Sequence, residues 1–287
     1  MRDRLESMSI GKVVIVSRSG LEERKNEKVI NVPHEALSKE VWDEHGIGKI
    51  DIVIHLAAFT PKNHSQANDI EGIYQGNLCA TRRLFDELPS PPEKIIFAST
   101  LDVYAPGDDE RPINENSPLG PTGLYGASKL FCEQLTKTYA SRFECPLAIL
   151  RYGHIYGPGE GAYAKLIPHT IRTLLKNEAP VIFGDGSQLR DFLYVEDAVE
   201  ATIRAAGLDE SVTLNIVSGI SRPIRQFVEE MMEVAGFDGE IQYREEAAKG
   251  RSLQFDASEL IKALGNRELT SFRDGVRREI EYFREMT

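Results

Sequence analysis

The chain has 287 residues, 41% hydrophobic and 28% charged, with 45 acidic against 34 basic side chains and a formal net charge of −11. That length buries a large core as one big domain or two closely packed ones, and the acidic balance excludes wrapping nucleic acid or resting on an anionic membrane. Three scattered cysteines, Cys79, Cys132 and Cys145, are too few for a disulfide framework or a zinc cluster, and their odd number fits a reducing, cytoplasmic setting.

In chain order, short apolar runs at 13–16, 51–56, 95–98 and 147–150 alternate with helical patterns, one near 70–88 and another near 124–142. Strands apolar throughout and separated by helices predict a doubly wound α/β fold with a parallel sheet covered on both faces. In such sheets ligands sit at the carboxyl ends of the strands, where Ala57-Ala58, Ser99-Thr100 and Tyr152-Gly153 fall. Beyond about residue 150 the alternation loosens, with Gly and Pro at 157–161 and Gly at 184–187. The 197–206 stretch is expected to return to the core, and the last helix, near 272–284, carries Val276, Ile280 and Phe283 at packing spacing. No apolar run reaches the roughly 20 residues of a bilayer span, and no signal-peptide pattern is read. His34, His45, His64 and His169 lack metal-ligand spacing, so no metal is expected.

The chemistry-bearing motif is Tyr125-Gly126-Ala127-Ser128-Lys129. On a helix a spacing of four puts phenol and ammonium on one face, where the cation favours the phenolate. A free tyrosine, pKa about 10, is a poor base at neutral pH, and a lysine with a hydroxyl donor such as Thr100 brings it toward the range that deprotonating an alcohol demands. A bare Tyr-x-x-x-Lys is ordinarily an incidental surface pair; here the surroundings argue otherwise. Ser99-Thr100-Leu101-Asp102-Val103-Tyr104 lies upstream, Arg111 to Pro121 leads into the motif, and the 150–159 run (Leu-Arg-Tyr-Gly-His-Ile-Tyr-Gly-Pro-Gly) and the 183–197 run from Phe183-Gly184-Asp185-Gly186 to Val195-Glu196-Asp197 follow it.

Together these segments resemble the extended short-chain dehydrogenase/reductase family, the nucleotide-sugar epimerases and dehydratases. The resemblance implies a Rossmann-type sheet, with residues 1–152 and about 188–206 forming the dinucleotide-binding domain and 153–187 with 207–287 forming a smaller mixed α/β substrate domain. It implies a catalytic triad of Thr100, Tyr125 and Lys129. Cofactor contacts would come from Ser17, Arg18, Leu56, Ala57, Ala58, Asn77, Ala98, Tyr125, Lys129 and Tyr152, and substrate contacts from Asp102, His154, Lys165 and Arg190. Arg190 matches the arginine that grips a nucleotide diphosphate, its plainer alternative being a surface ion pair with Asp191. His154 is a substrate contact, a donor to a backbone carbonyl, or a satisfied buried histidine, and the last stands first. His55, on a strand, reads as a core residue. The cofactor is NAD or NADP: Arg18 can pair with a 2′-phosphate and leans toward NADP, whereas the family leans toward NAD.

The family opens with a strand, a glycine-rich turn and a helix that receives the cofactor pyrophosphate. Residues 1–9 read instead as the tail of that helix and 13–16 as the second strand, so a late start or a truncation is the expectation. As written, the chain is expected to bind dinucleotide weakly.

By resemblance the expected activity is epimerisation at C4 of a UDP- or dTDP-sugar through transient hydride abstraction. The alternatives are a reductase of a keto-sugar nucleotide, a dehydratase, or a non-catalytic nucleotide-sugar-binding protein. Dehydratases of the family carry an Asp-Glu pair after the threonine; Leu101-Asp102 stands here, and leucine transfers no protons. The implied partner is a nucleotide-diphosphate sugar, and the implied assembly a homodimer through a four-helix bundle of the 70–88 and 124–142 segments.

Overall fold

Strands and helices alternate in the computed structural model, which describes residues 1–6, 11–18, 20–107, 111–161, 163, 165–245 and 251–286. α1 (Arg2–Glu6) precedes β1 (Val13–Ser17), which pairs in parallel with β2 (Glu27–Asn31). Next come α2 (Lys39–Glu44), β3 (Ile52–His55) and α3 (His64–Ala67). The helical pattern expected over 70–88 is divided into α4 (Ile70–Ile73), a π-helical segment (Tyr74–Cys79) and α5 (Ala80–Asp86). β4 (Lys94–Thr100), α6 (Leu124–Phe143), β5 (Leu147–Tyr152), β6 (His154–Tyr156), α7 (Leu166–Leu175), β7 (Val181–Phe183), β8 (Leu189–Tyr194) and α8 (Val195–Ala206) follow. The chain continues through β9 (Val212–Ile216), β10 (Ser221–Pro223), α9 (Ile224–Ala235), β11 (Gln242–Arg244), α10 (Ser258–Leu264) and α11 (Phe272–Glu285).

The main sheet has the order β3-β4-β5-β9, and all its pairs are parallel. Its strands read as unbroken apolar runs because both faces are covered. Side chains alternate across the pleat. Ile95, Phe97, Leu147 and Ile149 share one core with Cys132 and Tyr139 of α6 and Phe85 of α5. Ile96, Ala148, Leu150, Leu214 and Ile216 share the opposite core with Ala198, Ala201 and Ala205 of α8. Cys132 thus packs as a small buried hydrophobe between α6 and the sheet. The β1–β2 pair forms a sheet of its own, not hydrogen-bonded to β3, although Val14, Val16 and Ile30 pack on the first core.

A third cluster, built from Tyr156, Ile167, Ile171, Val228, Met231, Val276, Ile280 and Phe283, holds α7, α9 and α11 together. Beside it lies a three-stranded sheet of order β10-β8-β6.

Two strand pairings lie near the expected domain limits. Residues 212–216, assigned to the substrate unit, form β9 on the edge of the main sheet, where Leu214 and Ile216 are fully buried. Residues 189–194, assigned to the dinucleotide unit, form β8, which pairs with β6 and β10, and only α8 beyond it returns to β4 and β5. Hydrogen-bonding partners, which no local pattern encodes, decide both placements.

Candidate active site

Thr100 ends β4 and caps the turn Leu101–Val103, its Oγ1 accepting the Asp102 backbone N–H at 3.3 Å. A methyl group on Gly126 would lie 2.3 Å from the Asp102 carbonyl oxygen. Glycine there lets the first turn of α6 dock on the turn that follows Thr100, which brings Tyr125 near Asp102. The phenol of Tyr125 hydrogen-bonds the Thr60 hydroxyl, on the loop after β3. Burial pushes Tyr125 above the usual tyrosine value, with Asp102 and Tyr163 adding to the rise and Thr60 opposing it. The expectation of a phenol made acidic by Lys129 and Thr100 is therefore corrected for the chain alone: desolvation dominates, and the hydroxyl that opposes it is that of Thr60. Asp102 reaches the surface, yet desolvation by the protein around it pushes its carboxyl up, against a hydrogen bond from Thr100.

Lys129 is 2% exposed. Its Nζ lies over the Phe97 ring, 4.3 Å from the centroid, and burial lowers it to about 8, partly opposed by Cys132 and Glu133. His55 is the core residue expected: its Nε2 sits 2.9 Å from Thr81 Oγ1, and burial, then Lys129, lowers its pKa to about 3. It is neutral.

Behind these groups stands a brace that sequence reasoning missed. Asn77, buried in the π-helical segment, accepts the Phe59 N–H at 2.6 Å and donates to Phe59 O at 3.3 Å and to Ser128 Oγ at 2.8 Å. Ser128 in turn donates to the Tyr125 carbonyl at 2.7 Å. The amide of Asn77, expected as a cofactor contact, is committed to tying the post-β3 loop to the catalytic helix. A π-bulge at a functional site was the structural signal, and no sequence pattern announced it.

A second brace is charged. Arg151 of β5 makes a two-pronged pair with Glu133 of α6, Nε to Oε1 at 2.9 Å and Nη2 to Oε2 at 2.8 Å. Ser99 donates to the same Oε1 at 2.6 Å, and Tyr104 receives Arg151 Nη1 at 2.9 Å and donates to Asn215 at 2.6 Å.

Of the remaining expected cofactor residues, Leu56 and Ala57 are exposed and Ala58 is half-buried just past β3, Ala98 is buried within β4, and Ser17 and exposed Arg18 lie at the end of β1. Tyr152 ends β5, but its hydroxyl is 2.5 Å from Thr202 Oγ1 of α8, and burial raises it to about 12.

On the substrate side, Lys165 Nζ contacts Glu160 Oε2 at 3.1 Å and lies near the Tyr163 ring. Arg190 Nη1 donates to the carbonyls of Leu189 and Arg251, at 2.8 and 2.6 Å. Asp191, its alternative partner, instead accepts the backbone N–H groups of Ser218 and Gly219 at 2.9 and 2.8 Å. His154 is buried, and its pKa is lowered to about 4 first by burial and then by Arg190 and Lys165. A backbone hydrogen bond at Asp191 opposes that fall, while Nδ1 is buried with no hydrogen-bond partner among the described residues. A polar ligand atom would complete it.

A nicotinamide cofactor fits one end of this site. The Lys129 ammonium donates to none of the described residues, and a desolvated three-fold donor without acceptors suits ribose hydroxyls. The described strand-end loops hold no glycine-rich turn for a pyrophosphate, so the residues that fit the cofactor are those of its nicotinamide end.

The comparisons agree with this geometry. A family model described as "NAD dependent epimerase/dehydratase family" matches residues 3–216. A putative UDP-glucose 4-epimerase of Methanocaldococcus jannaschii is 28% identical over 90% of this chain and 85% of its own length. Among solved structures, a UDP-N-acetylglucosamine 4-epimerase from Methanobrevibacter ruminantium, in complex with UDP-N-acetylmuramic acid, has a TM-score of 0.84 and 26% identity over 96% of this chain and 91% of that one. MoeE5 with UDP-glucuronic acid and NAD has a TM-score of 0.82 and 28% identity over 96% and 92%. With that match spanning residues 3–216, the chain belongs to the NAD dependent epimerase/dehydratase family.

Proposed function

We propose that the chain is an NAD(P)-dependent 4-epimerase of a UDP-sugar, with Thr100, Tyr125 and Lys129 as its catalytic residues. The observation that carries this reading is the docking of the Tyr125 end of α6 on the Asp102 turn that follows Thr100, at the carboxyl end of β4. Lys129 would hold the nicotinamide ribose, and the bound cofactor would supply reversible hydride transfer at the sugar carbon. Tyr125 takes the proton of the sugar hydroxyl and gives it back, and Thr100 hydrogen-bonds the same oxygen. In the chain alone the phenol keeps its proton at neutral pH. Base duty therefore requires a cation within reach of the phenol oxygen, and Lys129, one helical turn on, is the group placed to supply it. His154, Lys165 and Arg190 are the proposed contacts for the nucleotide sugar, supported by the unpartnered Nδ1 of His154 beside two cations. Leu101 packs with Val103, Tyr104 and Val217 in an apolar cluster, so the position where a dehydratase needs a proton donor offers none.

The test is to incubate the chain with NAD and UDP-glucose or UDP-galactose and follow the sugar by NMR. Interconversion of the two without net formation of NADH is the expected result. Stoichiometric cofactor turnover marks a reductase, an accumulating 4-keto-6-deoxy sugar marks a dehydratase, and binding without turnover marks the non-catalytic reading.

The free cysteines suit the reducing, cytoplasmic setting, and the cofactor is taken to be NAD, with Arg18 as the feature favouring NADP. A homodimer through α4, the π-helical segment, α5 and α6 is supported by Ile70, Tyr74 and Phe131, which are 70%, 47% and 55% exposed. Phe131→Glu is expected to convert a sedimenting dimer to monomer; an unchanged sedimentation coefficient rules this face out.

A further inference from the structure

Glu279 belongs to α11, which the sequence reads as a packing helix, yet it is a carboxylate with no exposed surface. Neither of its oxygens has a hydrogen-bond donor among the described residues, and Oε1 of Glu160, 9% exposed, is in the same position. The two carboxyl groups face each other beneath an apolar cluster that includes Tyr156, Val276, Ile280 and Phe283. Glu160 lies on the loop between β6 and α7, and its Oε2 holds Lys165 Nζ at 3.1 Å. The same loop carries Tyr163, close enough to Tyr125 to raise its phenol. A methyl group on Gly275 would sit 2.2 Å from the Tyr156 hydroxyl, so α11 presses directly against the strand that leads into this loop.

Two buried ionised carboxylates cannot share such a place, but one proton between them satisfies both. We propose that Glu279 is a positioning residue: its carboxyl proton is donated to Glu160 Oε1, and this hydrogen bond seats the loop that presents Lys165 to the substrate and Tyr163 to Tyr125. The inference rests on Lys165 being a substrate contact, as in the function proposed above. Burial, then Glu160, push Glu279 up to about 8, against Lys165 and Arg172, so the carboxyl is protonated at neutral pH. The sign follows: a carboxyl raised in the folded chain loses its contribution as pH rises from the ordinary carboxylate range through about 8. Above that value Glu279 ionises against Glu160 and the loop loses its seat. The other charged or titratable groups on the elements around α11 are engaged elsewhere. Arg172 of α7 donates to the Gly161 carbonyl, Glu230 of α9 pairs with Arg222, Asp197 of α8 pairs with Arg267, and Glu196 pairs with Arg278, which also bonds Tyr194 of β8. Tyr156 of β6 is raised too far to titrate.

The test compares the full chain with Glu279→Gln and Glu160→Gln between about pH 6.5 and about pH 9.5, a window bracketing the transition. KM and kcat are measured for the UDP-sugar, and hydrogen exchange is measured on the 157–165 segment. The native KM should rise about tenfold across the window at nearly constant kcat, the loss of one well-placed charged contact, with faster exchange in 157–165 relative to Glu279→Gln at the same pH. Glu279→Gln, still a donor but unable to ionise, should hold the low KM and slow exchange throughout. Glu160→Gln, which removes the carboxylate that holds Lys165, should show the high KM at every pH. If Glu279→Gln follows the native profile in both readouts, the positioning role is overturned. If no UDP-sugar turns over, the proposed function fails, and hydrogen exchange alone still decides the fate of the loop.

Discussion

Tyr125→Phe should lower turnover by about a thousandfold, the middle of the range for losing a general acid–base, while binding of the nucleotide sugar stays within about threefold, since one hydroxyl contributes little to a large ligand. Lys129→Met supplies the contrast. It should lose turnover to a similar degree and yet make the chain more stable at pH 7. Lys129 falls from 10.5 to about 8 in the folded chain, and the difference is on the order of 3 kcal/mol of penalty on the charged form. The direction is opposite to that of an ion-paired lysine. The penalty is complete below about 8 and is relieved as pH rises toward the unfolded value of 10.5, so the stabilisation should shrink in alkaline buffer. Urea denaturation of both proteins at two pH values reads it directly. A Met variant less stable than the parent at neutral pH would mean that the ammonium holds the fold, and a Phe variant that retains turnover removes Tyr125 from the chemistry. A group that destabilises its own fold is retained for function.

The second large effect lies in the charged brace. Glu133→Ala leaves the guanidinium of Arg151, 3% exposed, without its carboxylate. Burial pulls Arg151 down and Glu133 and Tyr104 outweigh it, a balance that removal of Glu133 reverses. Stranding a buried charge costs about 3–5 kcal/mol, which guanidinium denaturation measures as a lowered midpoint. The double variant Glu133→Leu with Arg151→Met should recover most of that loss, because two apolar side chains of similar volume leave nothing unpaired. A double variant as unstable as the single one would show that the cost is packing rather than charge. Ser99, next to Thr100, donates to Glu133, so both variants also test how far this brace aligns β4 with α6.

Much of this was legible in the amino-acid order. The runs that became β4 and β5 are apolar along their whole length because both faces of a parallel sheet are covered, and that signal is local. The helix at 272–284 was legible from Val276, Ile280 and Phe283 at helical spacing, and these residues do face the third core. The same pattern could not reveal Glu279, since a lone acid at a core-facing position reads as an exposed one until its neighbours are known. Asn77 was legible as a marked position, but its partners Phe59 and Ser128 are 18 and 51 residues away along the chain.

The amino-acid order by itself therefore determined the α/β class, because periodicity is a property of neighbouring residues, and its resemblance to a family marked Thr100, Tyr125 and Lys129 as the proposed catalytic residues. Only the tertiary structure decided their protonation and their setting: a phenol raised rather than lowered, an ammonium turned to a ring, two facing carboxyls beneath a loop, and β9 joined to the main sheet. Desolvation and long-range contact govern each of these, and both depend on what lies near in space, not on what lies near in the chain.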